Sequence, residues 1–349
     1  MGTGTVGRDR APLRRPAPAR ALRGSWLLPL LLLLVLTACA ASEDARFIDE
    51  IAEVDVAISA GDRGLGGQAH TCGLELDGTP VCWGVDDYGQ ASPPEGLRLN
   101  AISVGRLHSC GLDNEGTPVC WGDDELGQVS VPDNVILLEL NAGRNHTCGL
   151  DLDRAPVCWG DNEFGQSAPP PGLRLKAISA GRTHTCGIDV DDRPVCWGND
   201  HFGQLSAPAH VELVEISAGS LHTCGIDKED GVVCWGDSQL GQSSPPIGLE
   251  LVTIAAGSGH TCGLEPGGNA VCWGYDRRGQ ASPPAGLTLT SLSAGGSHSC
   301  GVRQGGAIIC WGDEREGQLS PDLRPLEGVQ EDGESPEEGG DEGDDGDGD

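Results

Sequence analysis

Apolar and polar residues alternate along this chain in short runs, and the runs recur at a fixed spacing. Stretches such as LRLNAISVG (residues 97–105) and LELVTIAAG (residues 249–257) are too short for a good helix, rich in alternating or β-branched positions, and bounded by Gly and Pro. Each predicts a strand. A second strand runs through His-Thr/Ser-Cys-Gly, an Asp/Gly-rich turn follows, and Pro-Val-Cys-Trp-Gly returns as a third. The x-Pro-Pro-x-Gly stretch, for example Pro93-Pro94-Glu95-Gly96, cannot sit inside a sheet and links one unit to the next. The unit occurs seven times, 38 residues apart, with His70, His108, His146, His184, His222, His260 and His298 in one column. Trp83, Trp121, Trp159, Trp197, Trp235, Trp273 and Trp311 form another, and a Gly-Gln pair follows each Cys-Trp-Gly after a four-residue gap.

Self-similarity at this period means a solenoid, a propeller or an array, in which one repeat cannot bury its apolar face alone. Seven small antiparallel sheets around a ring make an all-β, seven-bladed β-propeller, which leaves only short strand edges. The N-terminal strand VDVAISAG (residues 54–61) precedes the first hairpin, and nothing comparable follows the seventh; it is expected to complete the last sheet and close the ring. The extra DRGLGG (residues 62–67) before His70 marks this copy as a junction. An open solenoid is the alternative, but it would want distinct capping repeats.

The repeated Ala-Gly-x-x-His-Thr-Cys-Gly-Leu and Cys-Trp-Gly-x-x-x-x-Gly-Gln elements resemble the regulator of chromosome condensation repeat. The resemblance covers residues 54–322 and implies a seven-bladed propeller. Its compact copies look more like the bacterial members, among them a secreted β-lactamase inhibitor, than the longer eukaryotic ones. It does not imply one function, because the family hosts nucleotide exchange, chromatin binding, light sensing and enzyme inhibition.

The ends are of a different kind. Six arginines precede an apolar run at residues 26–38 that is short for a membrane span and typical of a signal peptide, here residues 1–38. Leu36-Thr37-Ala38-Cys39 then resembles a bacterial lipobox, which implies lipidation at Cys39 and a propeller anchored to the membrane through a short linker, residues 39–53. Removing the leader leaves 16 basic against 52 acidic residues, which excludes nucleic acid as a natural partner. The segment from 323 to 349 holds 12 acidic residues after Pro325, no basic ones, and too few apolar residues for a core, so it is expected to be disordered.

The 15 cysteines are Cys39 plus two for each repeat, with none left over. A hairpin brings Cys72 and Cys82 opposite, or one step off opposite, and in an oxidising envelope the expected outcome is a disulfide in every copy. The pairs are Cys72–Cys82, Cys110–Cys120, Cys148–Cys158, Cys186–Cys196, Cys224–Cys234, Cys262–Cys272 and Cys300–Cys310. A zinc site from His70, Cys72 and Cys82 is the competing arrangement, but it would have to occur seven times. No metal and no cofactor is expected. A histidine present in every unit suits hydrogen bonding between strands or blades better than general base catalysis, and each Trp suits packing between blades.

Columns that vary are free to carry recognition. The four residues between Cys-Trp-Gly and Gly-Gln read VDDY, DDEL, DNEF, NDHF, DSQL, YDRR and DERE. They hold Tyr88, Phe164, Phe202 and Tyr275, four of the five Phe and Tyr residues outside the leader, among many acids. Asp87, Tyr88, Glu125, Leu126, Phe164, His201, Phe202 and Tyr275 are therefore the candidate partner-binding residues. The other reading is that the fourth position merely tucks into the rim. Arg106, Arg144 and Arg182, two before the histidine, form a local basic stripe or neutralise nearby acids. The leading expectation is a monomeric, non-enzymatic lipoprotein at the outer membrane of a bacterial envelope, binding another envelope or extracellular protein. A carbohydrate-binding or enzymatic centre is the second reading, and guanine-nucleotide exchange rests on family analogy alone.

Overall fold

The structure, a computed structural model, describes residues 58–61 and 69–319. The leader, Cys39, the linker, residues 54–57, the insertion at 62–67 and the acidic tail lie outside them. Three consecutive strands build each of seven antiparallel sheets. The first holds β1 (Ile58–Ala60), β2 (His70–Leu74) and β3 (Pro80–Gly84). The fourth holds β10 (Leu175–Ala180), β11 (His184–Asp189) and β12 (Pro194–Gly198), and the seventh β19 (Leu289–Ala294), β20 (His298–Arg303) and β21 (Ile308–Gly312). The architecture is the all-β propeller that the repeat predicts.

One expectation needs correction. The N-terminal strand does not complete the last sheet: Ile58 faces Gly73 in the first, and β19 gives the seventh sheet its own innermost strand. The reason is local, because every copy carries its own first strand directly ahead of its hairpin, which leaves no vacant place at the end. β1 still stands at the seam, where the Ala60 N–H donates to Ser293 Oγ at 3.0 Å and the Gly296 N–H to the Gly61 carbonyl at 3.0 Å.

The core lies between blades. Cys148 and Leu150 of one blade pack on Leu175, Ile178 and Trp197 of the next, and the grouping repeats around the fold. Polar residues lock the same interfaces. The Trp197 indole N–H donates to the Gln166 carbonyl of the preceding blade at 2.9 Å, and Trp83 reaches Gln318 at 2.8 Å, so the last blade meets the first by the bond that joins neighbours. The Thr185 hydroxyl donates to the same Gln166 carbonyl at 2.9 Å. Having one proton, it can only accept from His146 Nε2, 2.9 Å away. That fixes the imidazole as the Nε2–H tautomer, and the same relay runs from His298 to Thr71 across the seam. The column histidines are wholly buried, and burial pushes their pKa down to about 3 or about 4.

All seven cysteine pairs form disulfides. Each joins directly facing residues with Cα atoms 4.0–4.1 Å apart, the spacing of a non-hydrogen-bonded pair. The zinc arrangement is thereby set aside, since the thiols are used. At the inner edge, glycine is required where blades converge: a Cβ on Gly181 would lie 2.5 Å from the Gly219 carbonyl and 2.6 Å from its own blade's His184 ring.

Candidate functional site

Each third strand ends on a glycine in the left-handed region, Gly198 at φ 108° for example, which turns the chain into the variable four-residue loop. The loop is braced from within. At its first position Asp123 or Asn199 accepts the N–H two residues on. At its second, Asp124 accepts the Val129 N–H at 3.0 Å and the Ser130 hydroxyl at 2.7 Å. The Gln of Gly-Gln is buried and its Oε1 accepts the N–H of the fourth position, as Gln166 does from Phe164 at 2.9 Å. Asp86, Asp123, Asp124, Asp161 and Asp200 thus serve as turn chemistry.

The candidates separate by position. Tyr88, Leu126, Phe164, Phe202 and Leu240 all occupy the fourth position on consecutive blades and remain 49%, 49%, 45%, 38% and 50% exposed. They form an apolar arc that the rim leaves open. Asp87, Glu125 and His201 occupy the third position and are exposed beside it, with the His201 ring edge-on to Phe202 at 5.0 Å. Tyr275 does not belong with them. It stands at the first position of its loop, half-buried against Gly259, and the arc ends where Arg278 and Glu316 take the fourth position. The sequence pooled Tyr275 with the others because it counted aromatics per loop and not per position.

The same face carries the turns between first and second strands, and with them Arg106, Arg144 and Arg182. These turns are stitched together, Arg106 N–H to the Arg144 carbonyl and Arg144 N–H to the Gly181 carbonyl, both 3.1 Å. On the opposite face the exposed Leu138, Val214 and Val252 are interrupted by an ion-pair network, in which Lys176 and Lys228 share Asp192 and Lys228 also meets Glu212.

A cavity of about 440 Å³ runs down the centre, lined by the first strands of all seven blades. Side chains of one blade satisfy the free strand edge of the next: Ser179 Oγ accepts the Ala218 N–H and Asn141 Oδ1 the Ala180 N–H. Two lining residues were missed by the sequence reading. Glu139 accepts the Ile178 N–H at 3.1 Å, and Glu215 accepts the Ile254 N–H at 2.9 Å and the Thr253 hydroxyl at 2.8 Å. Burial holds both carboxyls above the usual range. Their signal was available, since their column otherwise reads Ala101, Ala177, Thr253 and Ser291. Among the described residues no cluster of His, Cys, Asp and Glu is arranged to hold a metal.

The family model described as regulator of chromosome condensation (RCC1) repeat matches residues 100–128, 139–166, 175–204, 213–242, 251–280 and 289–318. Solved structures with this architecture include the entire ectodomain of the Physcomitrella patens receptor kinase CR4, 28% identical over 73% of each chain with a TM-score of 0.65. The CRINKLY WD40 ectodomain of the Arabidopsis thaliana receptor kinase ACR4 is 28% identical over 73% of this chain and 96% of that one, with a TM-score of 0.62. Prp20p of Saccharomyces cerevisiae, described with its binding to Gsp1p and histones, is 19% identical over 64% and 74%, with a TM-score of 0.56. No curated protein sequence matches significantly.

Proposed function

The chain belongs to the regulator of chromosome condensation (RCC1) repeat family, and from that premise we propose a protein-interaction propeller that grips its partner with the apolar arc of the loop face. The observation carrying this reading is the alignment of Tyr88, Leu126, Phe164, Phe202 and Leu240 at one exposed position of five consecutive blades. Five half-exposed side chains in register, beside the polar Asp87, Glu125 and His201, have the make-up of a binding hot spot with its rim. In this reading the protein is not an enzyme and works as a scaffold or an inhibitor.

Seven disulfides suit an oxidising compartment. Together with the lipobox-like Leu36-Thr37-Ala38-Cys39, this supports an exported bacterial envelope lipoprotein with the propeller tethered through Cys39. Cys39→Ser is expected to move the chain from the membrane to the soluble fraction of fractionated cells. Retention of the variant in the membrane would remove the anchor from the proposal.

The arc is tested by capture from envelope extract with the full chain and with a Tyr88→Ala, Phe164→Ala, Phe202→Ala variant. Truncating a buried interface aromatic costs about 1–2 kcal/mol or more, so the triple variant is expected to lose its partner by at least about a hundredfold. Equal recovery by both chains would sink the arc as the binding surface.

A further inference from the structure

We propose that the central cavity is a binding site for a short peptide with free ends, its ammonium terminus held by Glu139 and Glu215 and its carboxylate terminus by Arg144 and Arg182. The cavity walls come from seven near-identical copies, so a lining position that departs from its column is not required by the fold. Two columns depart, at opposite ends of the same strands. One carries carboxylates only on the third and fifth blades, flanking Ala177 of the fourth. The other carries Arg106, Arg144 and Arg182 on the second to fourth blades and then Ser220, Ser258 and Gly296. Arg144, Arg182, Glu139 and Glu215 all line the cavity. Among the described residues the ionisable groups that line the cavity therefore gather along the wall of the third to fifth blades, negative at one end and positive at the other, facing small side chains.

Glu139 and Glu215 are costly where they stand. Each is half-buried, the described bonds satisfy one oxygen apiece with neutral donors, and the Arg154 charge offsets burial only in part at Glu139. Ala101 and Ala177 in the same column have no side-chain atom that could accept such a bond, so the sheet edge alone does not demand a carboxylate. A cationic group placed between the two would supply what the N–H donors do not. At the other end a guanidinium presents the fork that suits a carboxylate.

The dimensions select the ligand. Glu139 and Arg144 are five residues apart on one strand and its turn, about 16 Å at the usual strand rise. An extended tetrapeptide, at roughly 3.4 Å per residue, has a reach comparable to this. The cavity volume lies within the range of small-ligand sites. This site is separate from the apolar arc, and either can fail without the other.

The test is calorimetric titration of the intact full-length chain with tetra-alanine bearing free termini, with its N-acetylated form and with its C-terminal amide. One site per chain is expected for the free peptide, and each capped form is expected to bind at least about tenfold more weakly, as for a lost charge-assisted hydrogen bond. In Glu215→Gln the free and acetylated peptides should converge, and in Arg182→Gln the free acid and the amide should converge. Absence of binding by free tetra-alanine up to about 10 mM (an affinity of only about 3 kcal/mol) would overturn the proposal. So would capped peptides that bind as well as the free one, and both of these readings use the wild-type chain, so neither depends on a variant folding.

Discussion

Complete reduction is expected to unfold the propeller in neutral buffer at room temperature. Each disulfide closes a loop between cysteines ten residues apart. On the chain-entropy account a loop of this size stabilises by just under about 3 kcal/mol. The seven loops do not overlap, so together they contribute roughly 15–20 kcal/mol, more than the 5–15 kcal/mol by which a domain usually stays folded. Little else stands in reserve. No Phe or Tyr lies in the described core, where Leu, Ile, Val and one Trp per interface surround the buried sulfur atoms. Circular dichroism and thiol counting on one sample, titrated with reductant, should lose the native signal as the hairpin thiols appear. Removing one clasp, as Cys224→Ser with Cys234→Ser, should lower the unfolding free energy by about 2–3 kcal/mol. A fully reduced chain that melts within a few degrees of the oxidised one would refute the expectation.

The fold was legible because each blade repeats the same local statement. Gly, Pro and the alternation fix three strands per unit, and seven copies of Cys-Trp-Gly leave little freedom in how units stack. Even the roles of His146, Thr185 and Trp197 follow from their strict period, since a group needed once would not occur in every copy. What the reading missed lay at the seam and in the central space. That β1 pairs within its own sheet follows from β19 already filling the seventh, which the pattern shows once the first strand of each copy is counted with its own hairpin. The loop was readable by composition, yet the acids of its first and second positions proved to brace turns while its third and fourth positions face out. Glu139 and Glu215 escaped because strand alternation treats an inner strand as core or edge: two carboxylates in a column of small residues were visible, but not that the column lines a common space.

Acid is expected to unfold the oxidised chain well above the range in which carboxylates titrate. The column histidines hold folded-state pKa values of about 3 for His70, His146, His222, His260 and His298 and about 4 for His108 and His184, with burial as the leading cause and neighbouring imidazoles adding to it for five of them, all but His108 and His184. In the unfolded chain each returns to its ordinary value of 6.5. Above that value both states are neutral at these positions and nothing is lost. Below it the unfolded chain takes up protons that the folded one refuses, so stability falls as pH drops from 6.5 toward the folded values. Between pH 7 and pH 5 the loss is about 2 kcal/mol per histidine, on the order of 10 kcal/mol for the seven. Glu139 and Glu215, whose carboxyls burial raises, act in the opposite direction, but they are two against seven. Denaturant titrations at pH 7, 6 and 5 should show the midpoint collapsing over this window. His184→Gln, which keeps an N–H donor facing Thr223, should reduce the proton uptake on unfolding by about one. A midpoint that holds steady from pH 7 to pH 5 would mean the imidazoles are charged in the folded state. That cannot be reconciled with a relay in which each Nδ1 lies buried without an acceptor.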